Sequence, residues 1–351
     1  MPRLLLVSAL AGVAAIAACS STSSAPAASP GPDAEVVPVD AASPTVPQEE
    51  ASGPADASAG DAAVPRRAIK VDATDPRRHD FTFTAKQADA AATQSLGTQG
   101  AYLDTRVKPA GKLVVYLHGA SAAALANCAN GEVATLLATE GFHVFTPCYN
   151  SYFGVANCGD DIGGCRKEAF EGIDHSAVVA IAPPDAIEPR IVAALGYLAK
   201  QDPAGDWGYF LEGGKPYWPG IVIAGHSHGA SSAGLIGTIR PASRVVMLSG
   251  PLDSGQAWLK APSVTPLDRF YGFTHAADPQ HAGHLVSFQD LNVPGAPTSV
   301  DGASAPYGNS HRLQSSATVT DGHGSTTPGG ASPKVAGAYV YAPVWATMFG
   351  R

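Results

Sequence analysis

The chain has 351 residues, a formal net charge of -8, 15% charged residues and 45% hydrophobic residues. That balance suits one α/β domain of ordinary size joined to a segment of low complexity. Nothing in it is strongly basic, which excludes nucleic acid as an expected partner.

The amino terminus reads as an export signal. Arg3 precedes an apolar run, Leu4 to Ala18, that is too short to span a bilayer comfortably. It ends Ile16-Ala17-Ala18-Cys19, which resembles a bacterial lipobox. The resemblance implies that residues 1–18 are a signal peptide and that Cys19 is diacylated, making an exported lipoprotein anchored at the outer membrane or cell surface. An ordinary secretory signal cut near Ala18 would instead leave Cys19 as a spare thiol. Residues 19–68 are rich in Ala, Pro, Ser and Asp and have no apolar period. Such a segment cannot bury enough surface to offset its ordering entropy, so it is expected to be a flexible tether.

The folded domain is expected over residues 69–351. Phe81 to Thr84 alternates as a strand does, and Gly100 to Asp104 is a second candidate. Lys112 to Leu117 is a central strand running into His118-Gly119-Ala120-Ser121. Val133 to Glu140 reads as a helix stopped by Gly141, and His143 to Thr146 as the next strand. Asn150 to Asp174 reads as a long irregular loop. Ala186 to Lys200 has apolar residues at helical spacing, with Asp185 expected as its cap.

The stretch Gly220 to Gly229 organises the rest. Ile221 to Ala224 is a β-branched run bounded by glycine, as in a buried parallel strand. Gly225-His226-Ser227-His228-Gly229 follows at once, a G-x-S-x-G pattern, and a small-residue helix runs from Ala230 to about Ile239. Strand, sharp turn and helix is the context in which that pattern makes a nucleophile elbow. Gly225 and Gly229 keep Cβ atoms out of the crowded turn. Arg244 to Ser249 and Phe270 to Thr274 are further strands, and Ala342 to Phe349 a terminal helix.

With Gly-His-Ser-His-Gly, Arg-Val-Val-Met-Leu-Ser-Gly-Pro-Leu-Asp, Tyr-Gly-Phe-Thr-His-Ala-Ala-Asp-Pro and a late histidine before Ala-Pro-Val-Trp, the chain resembles the α/β-hydrolases, in particular bacterial secreted members. The resemblance covers Lys112 to the end. It implies a mostly parallel, doubly wound sheet with helices on both faces, and a Ser, acid, His order. Ser227 is then the nucleophile and Asp278, four residues past its strand, the acid; Asp253 is the alternative. His323, in Asp321-Gly322-His323-Gly324, is the base, with His311 as alternative. The backbone N–H groups of His228 and of Ala120 or Ser121 would hold the oxyanion. His226 is expected to pack. His275, His281 and His284 match no zinc spacing, so neither metal nor cofactor is implied.

Cys128, Cys148, Cys158 and Cys165 are an even number in an exported chain, so two disulfides are expected. Of three pairings, Cys158–Cys165 with Cys128–Cys148 is preferred. The expected activity is a serine hydrolase, with carboxylic esters favoured over peptides or thioesters. The expected substrate is a small-molecule, lipid or polyester acyl compound; a non-catalytic binding lipoprotein is the rival.

Overall fold

The computed structural model describes residues 66–351. The signal segment 1–18, Cys19 and the tether up to residue 65 lie outside the described residues. Packing begins slightly before Ile69, because Arg67 pairs with Asp206 at 2.6 Å.

Eight main strands form one sheet: β1 (Arg78–Thr84), β2 (Thr98–Asp104), β3 (Leu113–Leu117), β4 (His143–Thr146), β5 (Ile221–His226), β6 (Arg244–Leu248), β7 (Phe270–His275) and β8 (Arg312–Ser315). Their spatial order is β1-β2-β4-β3-β5-β6-β7-β8, with the pair Thr298–Ser299 added at the β8 edge. β1 and β2 run antiparallel to their neighbours and all later pairings are parallel. This is the strand order of the α/β-hydrolase fold, and the chain adopts it.

Alternation along the central strands explains both faces. Leu113, Val115 and Leu117 of β3, with Ile221 and Ile223 of β5, point into one apolar cluster. Val114 and Tyr116, with Val222 and Ala224, point into the other. Parallel strands buried on both sides read as continuous apolar runs, which is why these were legible. Helices α2 (Ile162–Glu171), α3 (Ile187–Gln201), α4 (His228–Ile239) and α5 (His281–Asp290) lie on the first face. Helices α1 (Gly131–Thr139) and α6 (Ala342–Phe349) cover the second.

Three expectations are corrected. Residues 150–174 are not an irregular loop: they hold a one-turn helix, Val155–Cys158, and all of α2. Ile162, Cys165, Ala169 and Phe170 line the inner side of α2 at helical spacing, and its glycine pair Gly163-Gly164 masked that period. Asp185 does not cap α3, whose cap position is Ala186 without a side-chain bond. Asp185 is instead 1% exposed and accepts from Thr93 N, Thr93 Oγ1, Gln94 N and Arg190 Nη2 at 2.6–2.9 Å. Finally, α5 and β8 stand between β7 and the terminal helix, where no element was expected.

The preferred cysteine pairing is the one present: Cys128 with Cys148 and Cys158 with Cys165.

Candidate active site

The site is assembled at the carboxyl ends of the parallel strands, where loops from several crossovers converge. Ser227 ends β5 and opens α4 with φ 57° and ψ -121°, a region that L residues rarely occupy. Its own N–H donates to Leu248 O at 2.9 Å, which ties the turn to β6. Crowding selects the flanking glycine: a Cβ on Gly229 would lie 2.1 Å from Leu117 O and 2.6 Å from His118 O. The elbow therefore touches the end of β3 directly, and brings the His118-Gly119 loop beside the serine; a Cβ on Gly119 would be 3.4 Å from Ser227 Cβ.

His323 sits on a one-turn helix, Gly322–Ser325, capped by Asp321, whose side chain accepts from Gly324 N at 3.0 Å. Its Nδ1 is 2.7 Å from Asp278 Oδ2. A carboxylate can only accept, so Nδ1 carries a proton, and in the neutral ring Nε2 is the nitrogen left to accept. Asp278 is 1% exposed at its side chain. Burial alone would raise its pKa, but the Gln280 N–H and the His323 bond outweigh that, and the carboxyl is held below its ordinary value.

The carbonyl of His323 is pinned as well. It accepts from His226 Nε2 at 2.9 Å and from Ser249 Oγ at 2.8 Å. His226 thus does more than pack: the residue before the serine fixes the loop that carries His323. Burial keeps the His226 ring below its ordinary pKa.

His228 opens α4, and as its first helical residue has no intrahelical acceptor for its N–H. Ala120 lines the same cleft as Ser227. Ser121 differs from expectation, since its N–H donates to Ser151 O at 3.3 Å.

The two alternatives are placed elsewhere. Asp253 is bound through both oxygens by Arg166, Nε to Oδ2 at 2.6 Å and Nη2 to Oδ1 at 2.9 Å, and also accepts from Trp258 Nε1. It meets no late histidine. His311 precedes β8, at the amino ends of the parallel strands and so at the far end from Ser227, stacked on Tyr271 at 3.9 Å with Nδ1 donating to Phe270 O. His284 is fully buried with Nδ1 2.9 Å from Thr274 Oγ1 and 3.7 Å from Asp278 Oδ2; burial lowers its pKa to about 4, so it is neutral. His281 also turns toward Thr274, and His275 Nδ1 accepts from Ala277 N. Among the described residues no three His, Cys, Asp or Glu side chains gather where they could hold a metal ion.

The cleft over Ser227 is about 300 Å³. Arg166 is the residue that sequence reasoning missed. It is 4% exposed, lines this cleft, and lies in the segment read as loop, with no motif to mark it. A wider hollow of about 790 Å³ lies against Tyr102 and Glu132 and contains none of these groups.

No protein-family model matches the chain, and no curated protein matches it in sequence. Among solved structures it is similar to esterase B from Lactobacillus rhamnosis, at 13% identity and TM-score 0.38, over 72% of this chain and 77% of that one. It is similar to a fluorophosphonate-binding serine hydrolase of Staphylococcus aureus at 12% identity and TM-score 0.37, over 69% and 91%. An esterase from Pyrobaculum calidifontis matches at 14% identity and TM-score 0.33, over 63% and 73%.

Proposed function

We propose that this chain, an α/β-hydrolase by fold, is a serine hydrolase that cleaves carboxylic esters through an acyl-enzyme. Ser227 Oγ attacks the ester carbonyl while its proton passes to His323 Nε2. Asp278 holds the imidazole in the Nδ1–H tautomer and stabilises the imidazolium. The tetrahedral oxyanion is met by the N–H groups of His228 and Ala120, which act on charge present only in the transition state. Collapse expels the alcohol, which takes the proton from His323. Water then attacks the acyl-enzyme, again giving its proton to His323, and the acid leaves with Ser227 restored.

The observation that carries this reading is the 2.7 Å bond between His323 Nδ1 and Asp278 Oδ2, from a loop whose carbonyl is bonded by the residue before the serine. The two disulfides support an oxidising, extracytoplasmic setting. Anchoring through a diacylated Cys19 at the outer membrane or cell surface completes the proposal, with the domain held off the membrane by residues 19–65. No helix of the described residues is long and apolar enough to cross a membrane.

A fluorophosphonate probe tests the chemistry. The wild-type chain labels at Ser227 and the Ser227→Ala form does not, and ester turnover falls by about 10⁶-fold in that variant. An unlabelled wild-type protein would leave a binding lipoprotein with this fold. Growth in labelled palmitate tests the anchor, which predicts label lost in Cys19→Ser.

A further inference from the structure

Two charged side chains line the cleft over Ser227. Val155 and Leu252, 42% and 40% exposed, stand at the opening. Arg166 and Asp253, 4% and 1% exposed, line the same cleft as Ser227, beside Phe153 and Ala156. An acyl pocket built for a fatty chain is lined by apolar side chains, because apolar burial is its driving force. This one has a guanidinium and a carboxylate among its lining groups.

Arg166 has one nitrogen that Asp253 does not use. Nε and Nη2 are taken up by the carboxylate at 2.6 and 2.9 Å. The neighbours of Nη1 are the two ring nitrogens of His228, the His228 carbonyl oxygen and Ser232 Oγ, all at 3.3–3.4 Å. Those are long for a charged donor, whose bonds normally fall near 2.7–2.9 Å. Nη1 is therefore a buried donor whose bonds to the protein are all long, so an acceptor placed nearer to it would improve on them.

The sign of the group it would take follows from Asp253. The bidentate carboxylate cancels the guanidinium charge, so a second carboxylate placed there would meet a neutral pair and lose its own hydration. A carbonyl, hydroxyl or amide oxygen has far less hydration to lose, and gains a charge-assisted bond.

We infer that Arg166 is a specificity residue, and that the acyl group accepted by Ser227 is short and carries a neutral hydrogen-bond acceptor that Arg166 Nη1 binds. The inference rests on the serine-hydrolase reading and narrows its substrate class. It turns away from the lipid acyl chains expected from the sequence.

Three p-nitrophenyl esters of equal length test it: 4-methylpentanoyl, 4-oxopentanoyl and succinyl. They differ only at the far end, which is alkyl, neutral acceptor or carboxylate. Each kcat/KM is divided by the rate of alkaline hydrolysis of the same ester. The wild-type protein is expected to prefer the oxo ester over the alkyl ester by about tenfold or more. Arg166→Met with Asp253→Asn, which removes both charges together, is expected to bring that ratio near one. Ratios are read within each enzyme, so a general loss of activity does not move them. An equal or greater rate on the alkyl ester overturns the inference, as does a succinyl ester that is the best of the three. A wild-type preference that survives in the double variant removes Arg166 from it. Octanoyl turnover above that of the oxo ester counts against it too. Failure of the underlying reading looks different: Ser227 then does not react with a fluorophosphonate, and both inferences fall together.

Discussion

Ser227 holds a backbone conformation of φ 57°, ψ -121°, which costs on the order of 1–3 kcal/mol for a residue with a side chain. The surroundings that over-determine it are specific: a bond to Leu248 O, and the Gly229 contact with the end of β3. The proposed base is held with similar redundancy. Asp278 fixes the ring of His323, while His226 and Ser249 fix its carbonyl. Asp278→Asn should therefore leave the fold intact and lower kcat by about 10⁴-fold, through loss of the required tautomer. Circular dichroism and steady-state kinetics on one preparation check both halves. Ser249→Ala removes one of the two donors on the His323 carbonyl, and is expected to lower kcat by about fivefold with little change in KM. A change confined to KM would show that Ser249 acts on substrate and not on the base.

Between elements, the close approach of α4 to β3 sets the elbow. Gly229→Ala would drive a methyl into Leu117 O and force the elbow open, a loss of about 3 kcal/mol or more by the cost of overpacking. Urea denaturation with a parallel fluorophosphonate assay should show labelling lost together with stability. The disulfides tie the loops around the same edge. Cys128–Cys148 closes 20 residues between the chain entering α1 and the end of β4. On the chain-entropy account its removal as Cys128→Ser/Cys148→Ser costs about 3 kcal/mol. Cys158–Cys165 joins the one-turn helix at the cleft mouth to α2, the residue before Arg166. Glu168 of α2 adds to this by accepting from the N–H groups of His175, Ser176 and Ile181, which fastens the chain that follows the helix.

Over the whole molecule, the buried ionisable groups determine how stability varies with pH. His143 is fully buried, packed against Trp207 and Phe210, with Nε2 donating to Gly205 O. Burial lowers its pKa to about 4, against about 6.5 for an unfolded histidine. In that window the unfolded chain binds the proton and the folded chain does not, so stability is complete above pH 6.5 and falls as pH drops toward 4. Between pH 7 and 5 the loss from this one group is on the order of 2 kcal/mol. Urea midpoints at both pH values measure it, and His143→Gln should flatten the slope. Asp185 works in a lower range. Burial pushes its carboxyl up, but bonds from Thr93, Gln94 and Arg190 hold it below the ordinary value, so its contribution persists until pH falls below about 4. Asp185→Asn leaves Arg190 buried without its counter-charge and should cost about 3 kcal/mol at pH 7.

What the amino-acid order determined by itself was whatever local pattern controls. Two-sided apolar runs marked the central strands, because short β-branched stretches bounded by glycine suit a strand buried on both faces. Gly225-His226-Ser227-His228-Gly229 marked the elbow, because only small flanks fit the bend. That late Asp278 and His323 would meet was implied by the resemblance, through their place after β7 and in a glycine-flanked loop. Helix α2 was not, since Gly163-Gly164 has poor helical propensity and the element is held by burial and a disulfide. β8 was hidden by having a single buried apolar residue, Leu313, at the edge of the sheet. Tertiary structure alone decided which carboxylate meets a histidine. Asp253 and Asp278 both follow strands, and the structure pairs the first with Arg166 from a distant helix and the second with His323. It likewise decided that an arginine faces the nucleophile's cleft, because that juxtaposition joins residues 61 positions apart in the chain and leaves no trace in spacing.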